Sequence, residues 1–169
     1  SGIIHTDNSN LIVIVDDATA TSGNANSFVD GPVKKIGNDS FVFPIGDYNR
    51  WSRLEISAPS LVTDEFTAQY LDDQYSDVTT VTGGLNNVSN GEYWNLTRNS
   101  GSSDVSVKLY WETASLSDIS DADADLVVAH WNGVAWESVG NSAISGSSSG
   151  AVTSNTVSSF SPFTFGSLS

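Results

Sequence analysis

Short apolar runs that alternate with polar residues, each closed by a turn signal, constrain the fold of this chain most. Residues 105–111 (VSVKLYW) place two valines, a leucine and a tryptophan on one face and polar side chains on the other. Residues 65–71 alternate in the same way, and clusters of Gly, Pro, Asn and Asp separate such runs. No segment longer than about ten residues keeps a helical period. We therefore predict an all-β fold, an antiparallel β-sandwich of about ten short strands.

The length of 169 residues suits one domain, and we predict a single β-sandwich over residues 1–169. Residues 1–26 leave an alternative open. Their one dense apolar run, Leu11–Val15 (LIVIV), is typical either of a short buried strand or of the end of a preceding β module. Because the sequence contains no Met, we expect it to be a piece of a longer parent chain.

The charge of the chain excludes two classes of partner. Only 15% of residues are charged, and the formal net charge is −14. Six basic residues beside 20 acidic ones do not form the positive stripe that nucleic acid or an anionic membrane surface requires. No apolar stretch approaches the roughly 18 residues of a membrane span, so membrane insertion is not expected.

Catalytic motifs are missing from the sequence, and we expect no enzyme. There are two histidines and no cysteine, and neither histidine lies in a recognised nucleophile or metalloprotease motif. His130 lies within a predicted strand, where a partly buried structural histidine is expected. Pairs of carboxylates carry no information here, because 20 acidic residues place some pairs at catalytic spacing by chance.

Several stretches of the chain resemble a β-sandwich accessory domain of large secreted Bacteroidota proteins. They are FVDGPVKKIGNDSFVFPIGD, ISAPS, FTAQY, EYWNLTRNSGSSDVSVKLYW, LVVAHWNGVAWESVG and SSFSPFTFGS, which together extend over most of the chain after Ser27. The resemblance implies a position near a C-terminal type IX secretion sorting signal, beside polysaccharide-degrading enzymes or adhesin-like repeats. It also implies a secreted or cell-surface location and a non-catalytic role, and it implies no particular ligand.

Residues 28–57 form a local exception to the acidity of the chain. They hold four of the six basic residues and four acidic ones, so the net charge of −14 lies entirely outside them. Trp51 is out of phase with the apolar residues Leu54 and Ile56, which predicts an exposed indole on the face that carries Arg53.

An exposed tryptophan beside two arginines and a tyrosine is typical of a site for a carboxylated or sulfated sugar. The indole stacks on the sugar ring, and the guanidinium groups bind its anion. The predicted ligand-binding residues are Tyr48, Arg50, Trp51 and Arg53. The alternative is an arginine stem that covers a tryptophan as ordinary surface packing. By contrast, Trp111, Trp131 and Trp136 lie on faces with apolar neighbours and are expected in a core.

An aspartate run over residues 118–125 (DISDADAD) is the one candidate for a metal site. Asp121, Asp123 and Asp125 occur at alternate positions, and Ca²⁺ prefers several hard oxygen ligands of this kind. The run lacks the glycine and the downstream glutamate of an EF-hand. We therefore weigh Ca²⁺ binding against a solvated acidic turn.

Two functions follow from these patterns. The first is a non-catalytic carbohydrate-binding module of an extracellular polysaccharide-processing or surface protein, which binds an acidic glycan. The alternative is a structural spacer or adhesin domain of a secreted cell-surface protein with no small ligand. In both cases the expected partners include neighbouring domains of the parent chain, and in the first they include a polysaccharide.

Overall fold

The chain folds almost entirely into β-strands, as predicted. The computed structural model describes residues 2–120, 124–160 and 162–169. One helical turn, the 3-10 turn η1 (Ala114–Leu116), interrupts the strands. The strands are β1 (Ile4–His5), β2 (Ile12–Ile14), β3 (Val29–Asp30), β4 (Val33–Ile36), β5 (Phe41–Phe43), β6 (Ile45–Asp47), β7 (Arg50–Trp51), β8 (Leu54–Ile56), β9 (Glu65–Leu71), β10 (Asn87–Val88), β11 (Tyr93–Ser100), β12 (Val105–Trp111), β13 (Leu126–Trp131), β14 (Trp136–Ser138), β15 (Ala143–Gly146), β16 (Gly150–Val157) and β17 (Phe163–Ser167). They outnumber the predicted strands because several contain two or three residues, too few to give a sequence pattern.

Two large sheets form the sandwich. One has eight strands, in the order β14-β13-β17-β11-β9-β4-β2, with β10 also paired to β17, and the other has five, in the order β15-β16-β12-β8-β5. A smaller sheet contains β1, β3, β6 and β7. Most strand pairs are antiparallel, but β1 with β3, β2 with β4, and β3 with β6 are parallel. Within the described residues, no helix is long and apolar enough to cross a membrane.

The inner faces of the two large sheets meet in one apolar core. The alternation of β12 has the predicted phase, since all four of its apolar side chains are fully buried. Trp111 of the five-stranded sheet contacts the ring of Phe165 in the eight-stranded sheet at 6.0 Å, and Trp94 contacts the same ring at 5.3 Å. Burial of such rings removes the largest apolar areas of the chain from water and holds the sheets together.

The outer face of the eight-stranded sheet is covered over one half only. Residues 72–92, which carry no clear sequence pattern, lie over β13, β14 and β17 and bury a second apolar cluster. That cluster contains Val127, Ala129 and Trp136. Trp136 is therefore fully buried, as expected, while Trp131 is half-buried at the border of the covered region. The outer faces of β9 and β11 beyond this border are open to solvent.

The N-terminal segment is paired into these sheets. β1 and β2 add parallel edge strands to β3 and β4, and Ile12 and Ile14 pack against the main core. The buried ammonium group of Lys35 donates hydrogen bonds to the carbonyl oxygens of Val15 and Ala18, at 3.0 and 3.4 Å. These contacts fix the segment against β4.

The connection between β13 and β14 is a four-residue loop. Asn132-Gly133 is typical of a two-residue hairpin turn, but Trp131 pairs with Trp136 and the loop contains the four residues 132–135. The side-chain oxygen of Asn132 accepts the amide N–H groups of Val134 and Ala135, both at 3.0 Å. This side-chain capping stabilises the longer loop, and Val134 becomes 77% exposed.

Gly101 provides a test of the packing between two loops. Its φ is +89°, and a Cβ atom there would overlap the buried carboxylate of Asp64, which accepts a hydrogen bond from the hydroxyl of Ser103. Gly84 has the same φ of +89° but open space around it. We expect Gly84→Ala to lower the free energy of unfolding by about 1–2 kcal/mol through backbone strain. Gly101→Ala should cost about 1–3 kcal/mol more through overpacking. Urea unfolding of both variants measures this difference, and equal losses would contradict the packing described.

Candidate functional site

The structure brings Trp51 and Arg53 together but does not leave them open to solvent. The guanidinium carbon of Arg53 lies 4.5 Å from the centroid of the Trp51 ring and 4.1 Å from that of Tyr110. The same guanidinium donates two hydrogen bonds to Glu112, at 2.6 and 3.0 Å. The indole N–H of Trp51 donates to the carbonyl oxygen of Ser22 at 3.0 Å. Trp51 is thus half-buried and covered on one side by a paired arginine, which corrects the expectation of an exposed indole.

The other two residues predicted for this site lie apart from that pair. Tyr48 is 74% exposed, on a turn where its φ is +52°. The side chain of Arg50 is directed inward, where its guanidinium group forms ion pairs with Asp72 at 2.8 Å and with Glu92 at 3.1 Å. The predicted anion-binding groups are therefore held by carboxylates of the protein itself.

Every lysine and arginine of the chain is paired in this way. All six lysine and arginine residues lie within the described part of the chain. Each has a carboxylate oxygen within 3.5 Å or less of a side-chain nitrogen. The pairs are Lys34 with Glu65, Lys35 with Asp39, Arg50 with Asp72 and Glu92, Arg53 with Glu112, Arg98 with Asp104, and Lys108 with Glu55. No lysine or arginine is left without a carboxylate partner to bind an external anion.

Arg50 belongs to a buried polar cluster that the sequence did not reveal. Glu92 is fully buried; its Oε2 atom accepts a hydrogen bond from the hydroxyl of Tyr70 at 3.0 Å and forms an ion pair with Arg50 at 3.1 Å. The hydroxyl oxygen of Ser117 accepts a hydrogen bond from the guanidinium group of Arg50 at 2.9 Å. Burial raises the pKa of Glu92 to about 7, although the positive charge of Arg50 opposes that shift. These contacts join β7, β9 and the turn η1, so the cluster stabilises the packing of those elements.

The predicted metal ligands give a partial result. Asp121 and Asp123 lie outside the described residues. Asp125 is half-buried, and its carbonyl oxygen accepts the amide N–H of Leu168 at 3.0 Å. Asp125 and Asp118 line an open cavity of about 470 Å³ beside the last strand.

A second acidic cluster, which sequence reasoning missed, contains Asp16, Asp17 and Asp39. Carboxylate oxygens of these three residues lie within 4.8 Å of one another. The ammonium group of Lys35 donates to Asp39 at 3.1 Å, and this hydrogen bond lowers the pKa of Asp39. A cation of the protein therefore already neutralises part of this cluster.

Calcium binding stays a prediction, and thermal unfolding tests it. If Ca²⁺ binds the folded chain through Asp125 and its neighbours, excess Ca²⁺ should raise the midpoint above the value found with a chelator. Asp125→Asn should reduce that increase. Equal midpoints with Ca²⁺ and with chelator would contradict calcium binding.

The open half of the eight-stranded sheet carries a polar cleft on its outer face. Asn8, Pro32, Thr67, Gln69, Asn95 and Thr97 line this cleft, called here the outer cleft, which has a volume of about 350 Å³. Thr67 and Gln69 on β9 pair with Thr97 and Asn95 on β11, so four uncharged polar side chains lie on neighbouring strands. These four residues alternate along their strands with the core residues Ala68 and Leu96, whose burial fixes the backbone beneath the outer cleft.

Aromatic side chains border the outer cleft on its covered side. Tyr93 precedes Asn95 by two residues on the same face of β11, since alternate residues of a strand share a face. The Tyr93 ring contacts Tyr75 at 5.3 Å, and Tyr75 contacts Trp131 at 5.5 Å. All three rings are half-buried. The alternation of β9 and β11 indicates which of their residues face outward, but the pairing that assembles the cleft is not visible in the sequence.

His130 is buried within β13, the position expected from the sequence. It is 2% exposed and stacks on Phe163, with ring centroids 4.9 Å apart. Burial lowers its pKa from the ordinary value of 6.5. The protein loses the stabilising contribution of neutral His130 as the pH falls below 6.5, because the unfolded state then binds the proton more readily than the folded state.

Glu92→Gln tests the raised pKa of Glu92 through the pH dependence of stability. Between pH 4.5 and about pH 7, folded Glu92 holds a proton that the unfolded chain has released. Its contribution to stability is therefore present below pH 4.5 and lost as the pH rises through this window. We expect the unfolding free energy of the wild type, minus that of Glu92→Gln, to fall across this range. The opposite slope from His130 is common to both proteins and cancels. A difference that rises with pH, or stays flat, would contradict the raised pKa.

Comparisons with known proteins give no family or relative from which a function could be assigned. A scan against protein-family models, a search of curated proteins and a search of solved structures each found no match to this chain.

Proposed function

We propose that this domain is a non-catalytic carbohydrate-binding module that acts outside the cell, as part of a longer secreted or surface protein. The observation that carries the proposal is the outer cleft, where hydroxyl and amide groups of Thr67, Gln69, Asn95 and Thr97 lie on two neighbouring strands. The proposed partners are a polysaccharide and the neighbouring domains of the parent chain. The resemblance to accessory domains of secreted Bacteroidota proteins supports the location.

The chemistry of the outer cleft suits a sugar chain. Hydroxyl and amide side chains both donate and accept hydrogen bonds, as the hydroxyls of a sugar require. The neighbouring rings of Tyr93, Tyr75 and Trp131 offer apolar surface at one border, where the C–H face of a sugar can pack. Binding sites commonly combine aromatic surface with a few convergent polar groups in this way.

The position of the outer cleft favours binding without a large entropic cost. Its side chains stand on β9 and β11, whose opposite faces are locked into the core by Phe66, Tyr70 and Trp94. A site on central strands is held more rigidly than one on loops, so less freedom is lost when a ligand binds.

Affinity electrophoresis against neutral, uronic and sulfated polysaccharides tests the proposal. We expect retention by at least one polysaccharide. Gln69→Ala and Thr97→Val should each weaken binding by about twofold to tenfold, because each removes one hydrogen-bonding group. Thr156→Val, an exposed position on β16 of the other sheet, is the matched control and should bind as the wild type does.

Two outcomes would redirect this proposal. Binding that is lost in Trp51→Ala but kept in Gln69→Ala would move the site to residues 48–53, as the sequence predicted. No retention by any polysaccharide would reject carbohydrate binding and favour the structural spacer.

A further inference from the structure

We propose that the outer cleft selects an uncharged polysaccharide, and that Glu65 is a specificity-determining residue because it cancels the charge of Lys34 at the border of the cleft. This inference rests on the proposed function and specifies its substrate class. It differs from the acidic glycan that the sequence predicts for residues 48–53.

The Lys34–Glu65 pair lies on the same outer sheet face as the cleft. β4 pairs with β9 so that Lys34 is directly opposite Thr67, a lining residue, and Ile36 is opposite Glu65. Glu65, Thr67 and Gln69 alternate along β9 and therefore share its outer face. The ammonium nitrogen of Lys34 lies 2.8 Å from the Glu65 carboxylate, and their side chains are 21% and 29% exposed.

Within the described residues, Lys34 is the cation that stands opposite a residue lining the outer cleft. Were it unpaired, an anionic sugar bound over Thr67 would gain a charge-assisted hydrogen bond from it. Because Glu65 already accepts that bond, an anionic ligand must displace a carboxylate and then lie beside it. An uncharged ligand meets neither obstacle.

The charge of the remaining molecule acts in the same direction. The formal net charge is −14, and the other five cations are also paired with carboxylates. The resulting negative potential slows the approach of an anionic polymer, over a range of about 8 Å at physiological ionic strength. A neutral polymer experiences no such repulsion.

The test compares a neutral polysaccharide with its own carboxylated form. The probes are β-glucan, galactomannan and hydroxyethyl cellulose, and the same polymers after oxidation of their primary alcohols to carboxylates. For wild-type protein we expect a polymer that binds in its neutral form to bind more weakly once carboxylated, most clearly at low salt. The affinity of the neutral form should not depend on salt.

Glu65→Gln isolates the proposed determinant. By freeing Lys34, it should raise the affinity for the carboxylated polymer about twofold to fivefold and leave the neutral polymer unchanged, the scale expected of one exposed ion pair. Glu55→Gln is the matched control, because it makes the same charge change beside Lys108 on the other sheet, and it should have a smaller effect. The double variant Glu65→Gln with Lys34→Gln should lose the gain.

The outcomes separate this inference from the proposed function. Tighter binding of the carboxylated polymer by wild-type protein, or equal gains in Glu65→Gln and Glu55→Gln, would overturn charge selection while carbohydrate binding stands. Absence of binding to every neutral and carboxylated polymer would overturn both. The unfolding midpoint of each variant shows that the protein is folded when its binding is compared. If Glu65→Gln fails to fold, the binding of Lys34→Gln alone is measured in its place.

Discussion

The antiparallel pairing of β9 with β11 is the constraint on which the fold and the proposed site both depend. Its register places Tyr70 opposite Trp94 and Ala68 opposite Leu96 on the inner face, where they are buried. The same register places polar residues opposite one another on the outer face and so creates the outer cleft. A shift by one residue would exchange the two faces, which makes the core and the cleft products of one alignment.

Because each lysine and arginine is paired with a carboxylate, the surface presents no unpaired basic side chain. The few lysines and arginines are spread over both sheets and the connecting turns, and each meets a carboxylate. Arg50 shows the consequence most clearly, since its partners Asp72 and Glu92 hold it inside the fold. A chain with so many acids offers a partner near every cation, and the surplus negative charge remains. Such a surface suits recognition through uncharged hydrogen-bonding groups better than through charge.

Local patterns in the sequence predict the strands well but do not predict contacts between residues that are distant in the chain. The alternation of residues 105–111 predicts the buried face of β12 because two-residue periodicity depends only on neighbours in the chain. The partner of Arg53 is Glu112, 59 residues away, and contacts at that separation leave no local signal. For the same reason the sequence indicated neither the pairing that builds the outer cleft nor the role of residues 72–92 as a cover. The predicted exposure of Trp51 fails because Ser22, from the N-terminal segment, bonds to its indole.

Chemical-shift mapping with a soluble uncharged oligosaccharide tests the central claim most directly. We expect the amide and side-chain resonances of Thr67, Gln69, Asn95 and Thr97 to shift together with those of Tyr93, while residues 48–53 stay unchanged. Shifts confined to residues 48–53, or none across the sheet face at millimolar oligosaccharide, would contradict the proposal that this domain binds a polysaccharide in the outer cleft.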